Sequence, residues 1–261
     1  MKDFKNIRLE VADGVATLTI DRPKVMNALN SETLDEMEAA FAHCRETESV
    51  RALIITGGGE KAFIAGADIK ELAQMTPLSA KELAYRGQQV YALVEHMGKP
   101  TIAMVNGFAL GGGLELALAC NLRTASTKAK MGLPEVSLGI IPGYGGTQRL
   151  ARLAGPAVAR EWILTGDMFG AEEAYRVGVI NRIFPPEELL EGTMKMVESI
   201  LSRGPIAVRF AIEAISRGSN MPQREGEILE CDLFGLAAST EDMHEGMAAF
   251  IEKRKPNFQG K

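Results

Sequence analysis

Apolar and polar residues alternate with period two through Ile7-Arg-Leu-Glu and again through Val15-Ala-Thr-Leu-Thr-Ile, on either side of Ala12-Asp-Gly14. Alternation gives each segment one apolar face and glycine supplies the turn, so the pattern predicts a β-hairpin. Arg22-Pro23 ends its second strand. From Ser31 the period changes. Leu34, Met37, Phe41 and Cys44 recur every three or four residues, which predicts an amphipathic helix with Ser31 as its N-cap and these residues as core.

Residues 50–56 form a short β-branched run closed by Gly57-Gly-Gly, and residues 101–105 form another, entered through Lys99-Pro100. Both read as buried strands. Between them residues 78–97 predict a long helix, and residues 122–125 and 179–184 predict further short strands after glycine-bounded helices. Strands alternating with helices define an α/β core over residues 1–185. Beyond Pro185-Pro186 the segments 187–201, 205–217 and 223–253 carry helical periodicity alone, so residues 186–261 form a helical C-terminal region. Such a region packs on its own core or covers a partner subunit, and periodicity does not separate the two.

The composition narrows the class. The chain has 261 residues, 46% hydrophobic and 24% charged, enough apolar material for a sizeable core and incompatible with disorder, collagen or a coiled coil. Its net charge of −5 gives no general attraction to nucleic acid, so any anionic ligand needs a local basic patch. Cys44, Cys120 and Cys231 make neither a disulfide framework nor a zinc knuckle. His43, His96 and His244 lie too far apart for metal-ligand spacing and read as helix-face or helix-end residues. The opening residues lack a leader pattern and no run approaches the ~18 apolar residues of a membrane span. A cytoplasmic location is expected.

Three segments carry candidate chemistry. Gly107-Phe-Ala-Leu-Gly-Gly-Gly-Leu-Glu115 leads from a predicted strand into an apolar helix beginning near Gly112. Backbone N–H groups there are free to meet an oxyanion or phosphate, or the glycines simply serve a tight turn. Its spacing matches neither the dinucleotide fingerprint nor the P-loop. Glu115 stands among Leu114, Leu116, Ala117, Leu118 and Ala119, a costly place for a charge unless it has a task. In Met131-Gly-Leu-Pro-Glu135, within a loop dense in glycine and proline, Glu135 is a second carboxylate, able with Glu115 to share acid and base work. Lys61-Ala-Phe-Ile-Ala-Gly-Ala-Asp-Ile-Lys-Glu71 reads as a loop of small residues exposing backbone amides. Asp68 is placed to cap a helix there.

Four blocks, Asp21-Arg-Pro-Lys-Val-Met-Asn-Ala-Leu29, Ala62-Phe-Ile-Ala-Gly-Ala-Asp-Ile-Lys70, Val105-Asn-Gly-Phe-Ala-Leu-Gly-Gly-Gly-Leu-Glu115 and residues 132–150, with a fifth at Ala249-Phe-Ile-Glu-Lys-Arg-Lys255, resemble the enoyl-CoA hydratase/isomerase family, the crotonases. The matches span nearly the whole chain in the family's order. The resemblance implies one functional domain overall, a crotonase-like spiral of β-β-α units whose helical C-terminal region builds a homotrimer, commonly paired into a homohexamer. It implies that the amides of Ala67 and Gly112 form an oxyanion hole for a thioester carbonyl, and that Glu115 and Glu135 handle the water and the proton. It further implies acyl-CoA contacts from Lys24, Ala65, Asp68, Ile69 and Lys70, with Phe250 and Lys253 reaching in from a neighbouring subunit. No cofactor is expected, coenzyme A being part of the substrate.

Having both glutamates points to a hydratase of short-chain 2-enoyl-CoA. The family alternatives are an isomerase, a hydratase of branched or cyclic enoyl-CoA, and a non-catalytic or RNA-binding member. Two residues depart from the close hydratase pattern. Leu133 stands where a glutamine often supports the first glutamate, and Asn121 replaces a common aspartate and is expected to be structural. Leu72, Met75, Leu133 and Tyr144 are the expected acyl-pocket wall, with residues 72–90 the variable lid.

Overall fold

A computed structural model describes residues 4–261. The hairpin forms as β1 (Ile7–Ala12) and β2 (Val15–Ile20), paired antiparallel from Ile7 opposite Ile20 to Ala12 opposite Val15. Asp13 and Gly14 between them take φ of 50° and 80°, the two positive values of a tight turn whose twist suits the flanking strands. Helix α1 (Ser31–Glu46) comes next. Its cap is Asn30 rather than Ser31. Asn30 Oδ1 accepts from the Thr33 N–H at 2.9 Å, while the Ser31 hydroxyl and N–H both go to Glu71.

The chain then repeats one manoeuvre three times. It lays a strand in one sheet, turns, and lays a second strand in another sheet. The first pass gives β3 (Ala52–Gly57), β4 (Ala62–Ala65), the single turn α2 (Ile69–Leu72) and the long α3 (Pro77–Glu95). The second gives β5 (Thr101–Val105), β6 (Phe108–Leu110) and α4 (Gly112–Ala119). The third gives β7 (Leu122–Ser126) and β8 (Lys130–Gly132), then a 3-10 turn at Pro134–Leu138, α5 (Gly146–Ala154), α6 (Pro156–Thr165), β9 (Phe169–Gly170), α7 (Ala171–Arg176) and β10 (Arg182–Phe184). One sheet has the order β1-β2-β3-β5-β7-β10 and the other β4-β6-β8-β9. Each consecutive pair between β2 and β10 in the first sheet, and each between β4 and β8 in the second, is parallel. The tail is helical: α8 (Leu189–Leu201), α9 (Pro205–Gly218), α10 (Gln223–Ala238) and α11 (Glu241–Glu252).

Several expectations from the sequence change here. The segment read as a loop at 61–71 contains β4, and the glycine segment that starts at Gly107 contains β6. Both strands are too short to show a period. Of the strand expected at 179–184 only Arg182–Phe184 pairs, because the Val179 and Ile180 N–H groups close α7 by donating to the Ala174 carbonyl. The helical stretch at 223–253 is broken at Ser239–Thr240, where Thr240 Oγ1 caps α11 by accepting from the Met243 N–H at 3.1 Å.

Both faces of the sheet are covered at β3 and β5, which is why these strands read as continuous apolar runs. Leu53 and Ile55 of β3 face the main core with α1, α3 and α4, while Ala52 and Ile54 face a smaller cluster closed by Leu189 and Val197 of α8. Helix α4 lies against β4 so closely that a Cβ at Gly113 would overlap the Ile64 carbonyl. At the other end of α4, the Arg123 guanidinium is buried and satisfied by carbonyls alone. It donates to Cys120 O at 2.6 Å, Ala117 O at 3.1 Å and Val179 O at 2.7 Å. The cation meets orphan carbonyls at a helix C-terminus, where the helix dipole favours it. Asn121, expected to be structural, accepts from the Thr101 N–H at 2.9 Å and from the Thr101 hydroxyl at 3.0 Å.

Arg123→Leu removes the guanidinium from the Ala117, Cys120 and Val179 carbonyls, of which only Ala117 keeps another donor, the Cys120 N–H at 3.3 Å, so it is expected to lower stability by about 3 kcal/mol. Scanning calorimetry checks this: an unchanged Tm would show that the buried guanidinium contributes nothing net.

Candidate active site

The second sheet aligns Ala65 of β4 with Leu110 of β6, and Leu110 with Gly132 of β8. The segments that leave these three strands therefore emerge at one edge. Two residues past Ala65 lies Ala67, two past Leu110 lies Gly112, and three past Gly132 lies Glu135. Ligand sites collect at such carboxyl ends of parallel strands.

Ala67 makes an isolated parallel bridge with Leu29. The Leu29 N–H donates to the Gly66 carbonyl at 2.9 Å and the Asp68 N–H donates to the Leu29 carbonyl at 2.7 Å. In that arrangement the N–H of Ala67 itself points away from Leu29, and Ala67 lines the cavity. Gly112 is the first residue of α4, where an N–H has no intrahelical acceptor. The helix entrance is set by Gly111, whose φ of 51° with ψ of −125° is open only to glycine. Tyr91 of α3 fixes the same corner by donating its hydroxyl to the Gly112 carbonyl at 2.7 Å. Ala67 and Gly112 thus line one space, with a helix N-terminus at one of them.

Glu115, one turn into α4, is 1% exposed. Its Oε1 accepts from the Tyr144 N–H at 2.8 Å and from the Gly146 N–H at 2.7 Å. Gly146 begins α5, so this carboxylate sits at a helix N-terminus that favours negative charge. Arg149 holds the loop in place. It donates to the Tyr144 carbonyl at 2.8 Å and, at 2.7 and 3.2 Å, to Glu95 Oε2. Burial nevertheless dominates and pushes the Glu115 pKa up to about 7, with the Glu135 charge adding to the rise and the two backbone donors opposing it. Glu135, in the 3-10 turn, approaches Gly111, where a Cβ would lie 3.0 Å from Glu135 Oε1. Its Oε2 is buried with no hydrogen-bond partner among the described residues. Burial raises its pKa to about 7 as well.

One cavity of about 910 Å³ collects Ala65, Ala67, Ile69, Gly112, Glu115, Glu135 and Tyr144, together with Leu72 and Met75 from the expected wall. Leu133 is corrected: it is fully buried and stands behind Glu115, beside Gly146, rather than on the cavity wall. The structure leaves five other expected contacts off this wall. Lys24 is exposed on the turn Pro23–Val25. Asp68 caps α2 by accepting from the Lys70 N–H at 3.1 Å and pairs with Arg22 at 3.7 Å. Lys70 lies on the exposed side of α2. Phe250 is 85% exposed at the end of α11, and Lys253 is its C-cap.

Sequence reasoning missed Tyr91, Arg149 and Asn27. Fully buried Asn27 ties the first block to the loop before β4 through Gly58 O at 3.0 Å and Ala62 O at 2.8 Å. A lone asparagine after Pro23-Lys-Val-Met carries little signal. Its left-handed φ of 61°, which asparagine tolerates, is visible only in the fold.

The chain matches the family model described as enoyl-CoA hydratase/isomerase over residues 10–261. It is 48% identical over 258 residues to a crotonyl-CoA hydratase of Syntrophomonas wolfei, covering 99% of each chain. It is 44% identical over 253 residues to a short-chain-enoyl-CoA hydratase of Clostridium acetobutylicum, covering 97% of each. A crystal structure of an enoyl-CoA hydratase from Bacillus anthracis superposes with a TM-score of 0.95 at 40% identity, covering 98% of this chain and 100% of that one. Matched along nearly its whole length in sequence and in fold, the chain belongs to the enoyl-CoA hydratase/isomerase family.

Proposed function

We propose that the protein is an enzyme that reversibly adds water, in the syn sense, across the double bond of short-chain 2-enoyl-CoA thioesters to give 3-hydroxyacyl-CoA. The observation that carries the reading is the convergence of the Glu115 and Glu135 carboxyl groups and the backbone of Ala67 and Gly112 on one cavity. The relatives named above for crotonyl-CoA and short-chain enoyl-CoA support the substrate class.

The chemistry is governed by charge. Water attacking the β-carbon sends electron density through the α-carbon to the thioester oxygen. Fixed donors at that oxygen, the N–H groups of Ala67 and Gly112, stabilise the developing oxyanion by a few kcal/mol each without reorganising. Glu115, supported by two N–H donors, is the group suited to stay ionised and take a proton from the water. Glu135, buried with one oxygen unpartnered, is suited to hold a proton and deliver it to the α-carbon. The C–O and C–H bonds form on one face, and the proton gained by Glu115 balances the one lost by Glu135. Proton exchange between them restores the pair.

Coenzyme A is substrate in this reading and no cofactor is invoked. Lys24, Lys70 and the partner-borne Phe250 and Lys253 are proposed contacts for its polyanionic end, with Ala65, Asp68 and Ile69 along the pantetheine. A homotrimer or homohexamer is proposed on the apolar surface of the helical tail, where Ile215 is 70% exposed, Phe234 76% and Ile251 78%. Patches of that kind mark association surfaces. No helix among the described residues is long and apolar enough to cross a membrane. We place the protein in the cytoplasm.

Glu115→Gln and Glu135→Gln are each expected to lower kcat on crotonyl-CoA by about 10²–10⁴-fold with acyl-CoA binding retained, monitored as loss of the enoyl-thioester absorbance. Retention of most activity in either variant would sink the two-glutamate mechanism. Because the active form carries one proton on a pair whose members both titrate near 7, kcat/KM is expected to peak near pH 7 and to fall about tenfold per pH unit on either side. A flat profile between pH 5 and 9 would contradict the assignment.

The same shift couples to stability. A carboxyl whose pKa rises from 4.5 to about 7 on folding costs nothing below 4.5 and costs progressively more as pH climbs to 7, reaching about 3 kcal/mol at most. Glu115→Gln is therefore expected to melt a few degrees above wild type at pH 8, with the difference vanishing near pH 4.5. A difference independent of pH would show that ionisation of Glu115 is not what the fold resists.

A further inference from the structure

Glu115 and Glu135 fix where the reacting carbons lie, and the surrounding contacts fix what lies beyond them. The Tyr144 ring approaches Gly112 on one side, 3.3 Å from where a Cβ would stand, and packs on the other side over Gly87 of α3, leaving no room for a side chain there. It meets Tyr91 edge-on at 5.5 Å between centroids. The cavity beyond the carboxylates is therefore bounded by this stretch of α3 and by the loop that leads into Tyr144.

Along α3 the cavity is lined by Pro77, Ala80, Ala84 and Gln88, spaced three or four residues apart on one helix face, and by Leu83 beside them. All but Gln88 are apolar. Gln88 ends this stripe, and its Nε2 donates to the Gly143 carbonyl at 2.8 Å. Gly143 immediately precedes Tyr144, whose N–H holds Glu115. The carboxamide thus spans from α3 to the loop next to a catalytic carboxylate. Both ends of the tie are polar, and it is solvent-exposed on its outer side. The small side chains of Ala80 and Ala84 thus leave an apolar corridor along α3 that ends at this polar crossbar.

We propose that the Gln88 side chain, tied to the Gly143 carbonyl, is the chain-length stop of the acyl pocket, admitting short acyl groups and turning away those that extend past it. The proposal rests on the enoyl-CoA reading of the site and adds to it the element that sets the substrate's length. Its physical basis is the polarity and position of the bar. A longer tail must either displace the Gln88 side chain from the Gly143 carbonyl or fold back inside a corridor already filled by the acyl chain.

The test compares kcat/KM for 2-octenoyl-CoA and crotonyl-CoA in wild type, Gln88→Ala and Gln88→Glu. The first variant removes the bar. The second keeps its size but replaces the donor with an oxygen that the Gly143 carbonyl repels. Both are expected to raise the octenoyl-to-crotonyl ratio about tenfold or more. Calorimetric binding of octanoyl-CoA and butyryl-CoA is expected to shift the same way, which reads the pocket without the reaction.

Ratios within twofold of wild type in both variants, with wild type hydrating crotonyl-CoA normally, overturn the chain-length stop and leave the hydratase reading intact. A ratio that rises in Gln88→Ala but not in Gln88→Glu assigns the limit to bulk and overturns the tie. A wild type that binds acyl-CoA but does not hydrate crotonyl-CoA overturns the hydratase reading, and the binding ratios then decide the stop alone. Absence of acyl-CoA binding in wild type overturns both.

Discussion

In-register parallel pairing of three short strands is the constraint on which the site depends. Ala65, Leu110 and Gly132 stand side by side across β4, β6 and β8, so the segments leaving them deliver two backbone N–H groups and one carboxylate to a single edge. A slip of one residue in either pairing would turn Gly112 or Glu135 to the other face of the sheet. The close contact of α4 with β4 guards against that slip, since at Gly113 only a hydrogen atom separates helix from strand. Arg123 holds the far end of the same helix through the carbonyls it leaves unpaired. The helix that carries Glu115 is thus fixed at both ends by contacts that take no part in chemistry.

The second organising feature is the tension around Glu115. Its setting withdraws it from water, which favours the neutral acid, while two amides at the start of α5 favour the anion. The balance leaves the group near neutrality, where a carboxyl exchanges protons readily. Leu133 has no polar group to offer, so the whole orientation of Glu115 falls to backbone donors. Those donors depend in turn on Arg149 and Glu95, which fasten the loop through the Tyr144 carbonyl. A position occupied by leucine instead of glutamine is therefore compatible with a well-held carboxylate, because the loop supplies what the side chain at 133 does not.

Much of the fold was legible along the chain. The hairpin, α1, β3, α3, β5 and the helical tail are all set by hydrophobic period, and their boundaries moved by only a few residues. The exceptions share a cause. Strands β4, β6 and β8 have four, three and three residues, too few to show alternation, and they are held by neighbours distant in sequence. Ser31 lost the capping role to Asn30 because Glu71, forty positions away, claims it.

The candidate site divides along the same line. The sequence by itself determined the α/β class and the family resemblance, and it singled out Glu115 and the glycines before it, because a carboxylate among leucines and glycines at a helix start are local anomalies that need no partner to be noticed; Glu135 drew notice only as a second carboxylate for Glu115, and Ala67 only through the resemblance. Only the tertiary structure decided that Glu115, Glu135, Ala67 and Gly112 share one cavity, that Leu133 stands behind that cavity, and that Asn27, Tyr91, Arg149 and Gln88 hold its walls. Each of those decisions is a hydrogen bond or a packing contact between segments tens of residues apart, and such contacts leave no periodic trace in the chain that makes them.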